Sequence, residues 1–263
     1  MQTFTYVENS LCPEYQSLDI YLPKTTEENK KLPCIIYVFG GGFQRGNKSK
    51  VDRKPQAFTD RGFIFISINY RLSPSEKHNM TAKHPDHIKD VAAAISWIYN
   101  NIDCFNGDIK RIFLMGHSSG AFLATLVSTD DRYLNEHNLD LSIIKGTISL
   151  DISGYNLLKL YQNTFPLFRE LLENAFGKDP NTFAEASPIK YIKSGKNIPP
   201  FLLSYTRSAA LEQNQKFANE LISNGIKAIL VDCTSQDHFS IDIEIGIPGD
   251  RLTQEIFNFI ESI

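Results

Sequence analysis

Phe113-Leu114-Met115-Gly116-His117-Ser118-Ser119-Gly120-Ala121-Phe122 is the stretch whose reading decides the fold. An apolar run from Ile112 to Met115 has strand character, a serine follows in a G-x-S-x-G pattern, and the apolar residues after it read as helix. Strand, sharp turn and helix is the context in which this pattern raises a serine hydroxyl above a sheet on a strained turn. Gly116 and Gly120 then serve to let neighbouring backbone pass close by. With glycine at about 7% of residues, the bare pattern arises by chance in roughly one chain of this length in ten. Its surroundings have to carry the reading.

Those surroundings alternate strand and helix signals. Upstream, Leu18 to Leu22 alternates with period two and reads as an outer antiparallel strand, followed by a polar loop from Lys24 to Lys31. Cys34 to Phe39 and Phe63 to Tyr70 are continuous apolar runs, as strands covered on both faces should be, and the first ends in Gly40-Gly41-Gly42. Lys54 to Arg61 separates them as a plausible helix. From Pro85 to Ile102 the apolar positions Ile88, Val91, Ala92, Ile95, Ile98 and Tyr99 recur at spacings of three and four, an amphipathic helix. Asn106-Gly107-Asp108 reads as a turn before the strand that leads to Ser118.

Downstream, Gly146 to Ile152, Pro199 to Tyr205 and Lys227 to Asp232 read as strands, with helices over Leu211 to Asn224 and Thr253 to Ile260. Residues 155–195 look irregular, rich in aromatics and prolines, and their place between two core strands suggests a cap over a pocket. Tyr133 and Leu134 look like an exposed loop. Strands alternating with helices predict an α/β fold, a mostly parallel central sheet with helices on both faces, in one domain spanning residues 1–263. In such sheets function sits at the carboxyl ends of the strands. Gly40 to Gly42, Ser118, Asp151, Ser208 and His238 all follow strands and should share one edge.

Composition narrows the field of partners. The 263 residues carry 27 Lys and Arg against 30 Asp and Glu, a net charge of −3, with no long basic run. Nothing in that balance suggests nucleic acid or an anionic membrane as a partner. Cys12, Cys34, Cys104 and Cys233 are scattered without C-x-x-C spacing, which fits reduced thiols and argues against a metal site. The N-terminal residues lack a signal-peptide layout and no apolar run is long enough to span a bilayer. The expectation is a soluble, cytoplasmic protein acting on a small molecule without cofactor or metal; an oligomer remains open.

The sequence resembles the α/β-hydrolases of the esterase/lipase type. The resemblance rests on Val38-Phe39-Gly40-Gly41-Gly42-Phe43, on Asn69-Tyr70-Arg71-Leu72-Ser73-Pro74, and on Asp90 to Trp97, with the elbow and Asp237-His238-Phe239-Ser240-Ile241 completing it. Within that family it is nearer the arylformamidase and feruloyl-esterase-like branches. The resemblance implies the α/β-hydrolase fold and a catalytic order of serine, acid, histidine along the chain. Ser118 would be the nucleophile, and a serine hydroxyl needs a base within hydrogen-bond reach. His238 follows the last core strand and is the natural base, with His78, His84, His87, His117 and His137 as the other histidines. Backbone N–H groups of Gly41, Gly42 and Ser119 would form the oxyanion hole. Phe39 and Phe43 depart from the histidine and tryptophan of the family's glycine motif, but they remove no backbone donor. Arg71 reads as an anchor for a carboxylate beneath the site.

The acid is open at this level. Counting back from Gln215, the position that carries it in most relatives holds Ser208, and a serine cannot supply the charge that steadies an imidazolium. Asp151 at the end of the preceding strand is the first candidate and Glu212 the second, with Asp237 or no acid at all as the remainder. The chemistry implied is hydrolysis of small carboxylic esters through an acyl-enzyme on Ser118. An arylformamidase-type amidase is the rival within the class, and a catalytically impaired or purely binding protein is the rival outside it.

Overall fold

The computed structural model describes residues 1–24, 30–76 and 79–263. His78 and most of the polar loop expected between Lys24 and Lys31 lie outside them. Among the described residues eight strands form one sheet: β1 (Gln2–Thr5), β2 (Ser17–Tyr21), β3 (Leu32–Val38), β4 (Ile64–Ile68), β5 (Gly107–His117), β6 (Ile144–Leu150), β7 (Phe201–Tyr205) and β8 (Ala228–Asp232). Their spatial order is β1-β2-β4-β3-β5-β6-β7-β8. The first two are antiparallel and all pairs from β4 through β3 to β8 are parallel. β3 and β4 are buried along their whole length, as their unbroken apolar sequence requires of strands covered on both faces.

Ten helices accompany the sheet among the described residues: α1 (Lys54–Thr59), α2 (Asp86–Asn101), α3 (Ser119–Thr129), α4 (Arg132–Asn135), α5 (Leu157–Asn163), α6 (Pro166–Phe176), α7 (Pro180–Glu185), α8 (Ser208–Ser223), α9 (Ser240–Ile243) and α10 (Arg251–Glu261). Two layers cover the sheet. Thr147 of β6 bonds Ser128 of α3, and Ser149 of the same face reaches Tyr155 and through it Asn214 of α8. The opposite face receives α1 and α10, whose Phe58 and Phe257 rings lie 4.9 Å apart. Packing of α10 against β6 is close at Gly146, where a Cβ would stand 3.1 Å from Phe259.

Two local expectations are corrected. The stretch 155–195 is largely helical, holding α5, α6, α7 and a short 3-10 turn (Pro188–Tyr191). Its prolines mark helix starts: Pro166, Pro180 and Pro188 occupy first-turn positions, where no N–H is needed and the fixed φ already suits a helix. Tyr133 and Leu134 are buried in α4, with Tyr133 edge-on to His84. Only two apolar residues mark that single turn, too few to show a period. No helix among the described residues is long and apolar enough to cross a membrane.

Candidate active site

The elbow between β5 and α3 is strained as its sequence requires. Ser118 holds φ 53° and ψ −122°, and its N–H donates to the carbonyl of Leu150 at 3.0 Å, fixing the turn to the end of β6. A Cβ on Gly116 would lie 2.4 Å from the Gly120 oxygen, and one on Gly120 only 2.0 Å from the oxygen of Val38. Both positions therefore exclude any side chain on steric grounds alone.

Three strand ends then converge. Ser118 follows β5, Asp151 follows β6, and His238 lies in the turn after β8. His238 Nε2 is 3.0 Å from Ser118 Oγ, and its Nδ1 is 2.6 Å from Asp151 Oδ2. Asp151 also stands at a positive φ of 51° and accepts from Thr206 twice, the N–H at 2.9 Å and the hydroxyl at 2.7 Å. Burial pushes this carboxyl up, but the hydrogen bonds from His238 and Thr206 and the nearby imidazole outweigh it, leaving the group at about 2. It is a carboxylate at neutral pH. Thr206 had no sequence signal: only the pairing of β6 with β7 brings it beside Asp151.

The other acid candidates have different employments. Ser208 opens α8 on the surface. The Glu212 side chain is 82% exposed and pairs with Lys159 at 3.4 Å. Asp237 accepts from the N–H groups of Phe239 and Ser240 at 2.7 and 2.8 Å, in the turn that leads into α9. Among the described residues no other histidine hydrogen-bonds Ser118. Arg71 does anchor a carboxylate: its Nε is 2.8 Å from Asp90 Oδ2, and its Nη2 is 2.9 Å from Oδ1.

The glycine loop lies against the elbow. A Cβ on Gly40 would stand 2.9 Å from that of Ser118, and Gly41 and Gly42 hold φ of 141° and 61°. Among the described residues no carbonyl accepts from the N–H groups of Gly41, Gly42 or Ser119. Phe39, where the family motif has histidine, stacks on Tyr70 at 4.6 Å, and the Tyr70 hydroxyl donates to the Phe39 carbonyl at 3.2 Å. Phe43 packs edge-on against Phe122 and Phe176. Aromatic contacts thus hold the loop.

A cavity of ≈ 300 Å³ opens onto Ser118 and His238. The insertion 155–195 supplies much of its apolar wall, through Leu157 and Leu160 of α5 and Phe168 and Leu171 of α6. The aromatics of that insertion divide by role. Phe165 and Phe168 line the cavity, while Tyr155 stacks on Phe217 and Tyr161 on Phe183 as packing.

Several known proteins of similar sequence or shape are esterases by name. The chain is 28% identical to isoprenylcysteine alpha-carbonyl methylesterase ICME of Arabidopsis thaliana, over 94% of its own length and 58% of the relative's. To esterase LipQ of Mycobacterium tuberculosis it is 25% identical, over 92% and 58%. It spans little more than half the length of these relatives. Among solved structures, Thermogutta terrifontis esterase 2 superposes with a TM-score of 0.71 at 23% identity, covering 99% of this chain and 92% of that one. An acetyl ester-xyloside bifunctional hydrolase from Caldicellulosiruptor lactoaceticus gives 0.74 at 21%, covering 99% and 96%. These two likenesses show the fold, an α/β-hydrolase sheet. The BD-FAE family model matches residues 18–221, from β2 through the elbow and the insertion to the end of α8, and the chain belongs to the BD-FAE family.

Proposed function

We propose that the protein is a serine hydrolase that cleaves small carboxylic esters, with Ser118, His238 and Asp151 as its catalytic residues. The observation that carries this reading is the unbroken hydrogen-bond chain from Ser118 Oγ through both ring nitrogens of His238 to Asp151. Ser118 Oγ attacks the ester carbonyl and its proton passes to His238 Nε2. Asp151 keeps its negative charge, holds the Nδ1 proton and so selects the tautomer whose Nε2 is free to act as base. The oxyanion is received by N–H groups of Ser119 and the Gly41-Gly42 loop, each commonly worth a few kcal/mol in such a site. His238 returns its proton to the departing alcohol, and water activated by the same ring then hydrolyses the acyl-enzyme.

In this reading residues 1–263 form one domain and the insertion 155–195 acts as a cap. A cavity of ≈ 300 Å³ with a largely apolar wall suits short acyl groups. The esterase names of the relatives support ester over amide chemistry. Four free cysteines, two of them buried, suit the reducing cytoplasm.

The test is hydrolysis of p-nitrophenyl acetate, with aryl formamides as the comparison. Turnover is expected with the ester, and Ser118→Ala should lower kcat by at least about 10³-fold while the fold survives. A wild-type protein no faster than Ser118→Ala on every ester and formamide would leave a binding protein as the better account.

A further inference from the structure

Behind His238 lies a second group of buried polar side chains that the steps above do not use. His117 is the variable residue just before the nucleophile in the G-x-S-x-G pattern, and it is 7% exposed. Its Nε2 stands 2.6 Å from the carbonyl oxygen of His238, with the two rings 4.7 Å apart. A carbonyl can only accept, so Nε2 carries the proton. Burial pushes the His117 ring's proton affinity down, which leaves that ring neutral with a bare Nδ1.

The same segment is tied a second time. Asp242 belongs to α9, the single turn that begins two residues after His238. It accepts from the Tyr37 hydroxyl at 2.8 and 2.9 Å. Lys54 Nζ, on a side chain with no exposed surface, lies 3.0 Å from Asp242 Oδ1. That contact is an ion pair whose angles fall outside those of a hydrogen bond. Through Tyr37 and Lys54, α9 is held to β3 and α1. His117 Nδ1 is 4.0 Å from Asp242 Oδ2, too far for a hydrogen bond, so no hydrogen bond joins the two ties.

We infer that His117 is a positioning residue that sets His238 against Ser118. It is joined to Ser118 by a peptide bond and to His238 by the hydrogen bond to its carbonyl. A separation of 120 residues along the chain thus becomes a short, stiff link between nucleophile and base. On its outer side the turn is bonded, among the described residues, only within itself, through Asp237 to the N–H groups of Phe239 and Ser240, and it faces solvent: the His238 side chain is 31% exposed and Phe239 is 71% exposed. An error of an ångström in such a pair can cost about 10²-fold in rate.

The inference rests on the serine-hydrolase reading, and three variants separate the two. His117→Leu removes the donor, His117→Gln keeps an N–H at the reach of Nε2, and His117→Asn keeps one that falls short. With p-nitrophenyl acetate, His117→Leu should lower kcat by about 10- to 100-fold with KM within about twofold. His117→Gln should restore most of that loss and His117→Asn should not, a comparison that still decides if the leucine variant fails to fold. The downfield proton resonance of the His238 Nδ1–H held by Asp151 gives a readout free of turnover. It should be sharp in wild type and His117→Gln and broadened in His117→Asn. Equal kcat in glutamine and asparagine variants, or an unchanged resonance across the series, overturns the positioning role while wild-type activity leaves the ester reading standing. Loss of activity in wild type itself strikes the ester reading first.

Discussion

Asp151 shows how much a single residue's role depends on its neighbours across the sheet. As a sequence position it is an aspartate at the end of a strand, which ranks it ahead of Glu212 and Asp237 but does not decide among them. What distinguishes it is the pairing of β6 with β7, which sets Thr206 to donate twice to its carboxylate, and the turn after β8, which brings His238 to 2.6 Å. Neither contact leaves a trace in local pattern, so the acid stayed open at the sequence level while Ser118 and His238 could be named. Substitution separates the candidates. Asp151→Asn preserves shape but supplies a donor where the His238 Nδ1 proton needs an acceptor, and loss on the order of 10⁴ in kcat is the scale for a triad carboxylate. Glu212→Gln should leave kcat within about twofold, since that side chain is mostly exposed and bound to Lys159. Steady-state rates of the two variants on one ester check both statements, and a slow Glu212→Gln with a fast Asp151→Asn would reverse the assignment.

At the scale of elements, the elbow and the insertion contrast. The strand-turn-helix around Ser118 was legible because steric demand is written directly into sequence: Gly116 and Gly120 stand where a Cβ would strike backbone. The insertion 155–195 was not, because its helices are short and its prolines resemble breakers until their first-turn positions are seen. Within it, cavity wall and core can be told apart by experiment. Phe168 faces the cavity, so Phe168→Ala should shift the chain-length profile toward longer acyl groups. A rise of about 10-fold in kcat/KM for p-nitrophenyl hexanoate relative to acetate is expected from opening that much apolar volume. Phe183 is fully buried against Tyr161 and Phe176, so Phe183→Ala should instead cost about 3–5 kcal/mol of stability. Acyl-length profiles and urea titrations of the pair would show whether α6 forms the wall and α7 the support behind it.

Across the whole molecule, alternation of strands and helices was enough to predict the layered architecture, but not the order in which the strands lie. The exchange that puts β4 outside β3 depends on contacts between distant segments. The same holds for the burial of histidines, which sets how the fold answers to acid. His87 is 1% exposed with Nε2 2.8 Å from the Ser73 hydroxyl, and burial, then the nearby His84 and Arg71, push it down to about 3. His84 is lowered to about 4, by burial first and then by Arg132. In the unfolded chain both titrate near 6.5, so between there and their folded values the unfolded state binds more protons. Stability should therefore be at its full value above about pH 6.5, fall as the pH drops below it, and go on falling to about pH 4 for His84 and 3 for His87. Asp151 adds a later loss of the same sign, from its unfolded value near 4 down to about 2. At pH 5 each histidine accounts for roughly 2 kcal/mol, since 1.5 pH units below the unfolded pKa are each worth about 1.4 kcal/mol. His87→Gln can keep a polar contact to Ser73 yet cannot titrate. Its Tm should fall less steeply between pH 7.5 and 5 than that of the wild type, by several degrees over that range. The comparison is of slopes, so any constant destabilisation by the substitution drops out, and parallel Tm curves for the two proteins would remove His87 from the account of acid sensitivity.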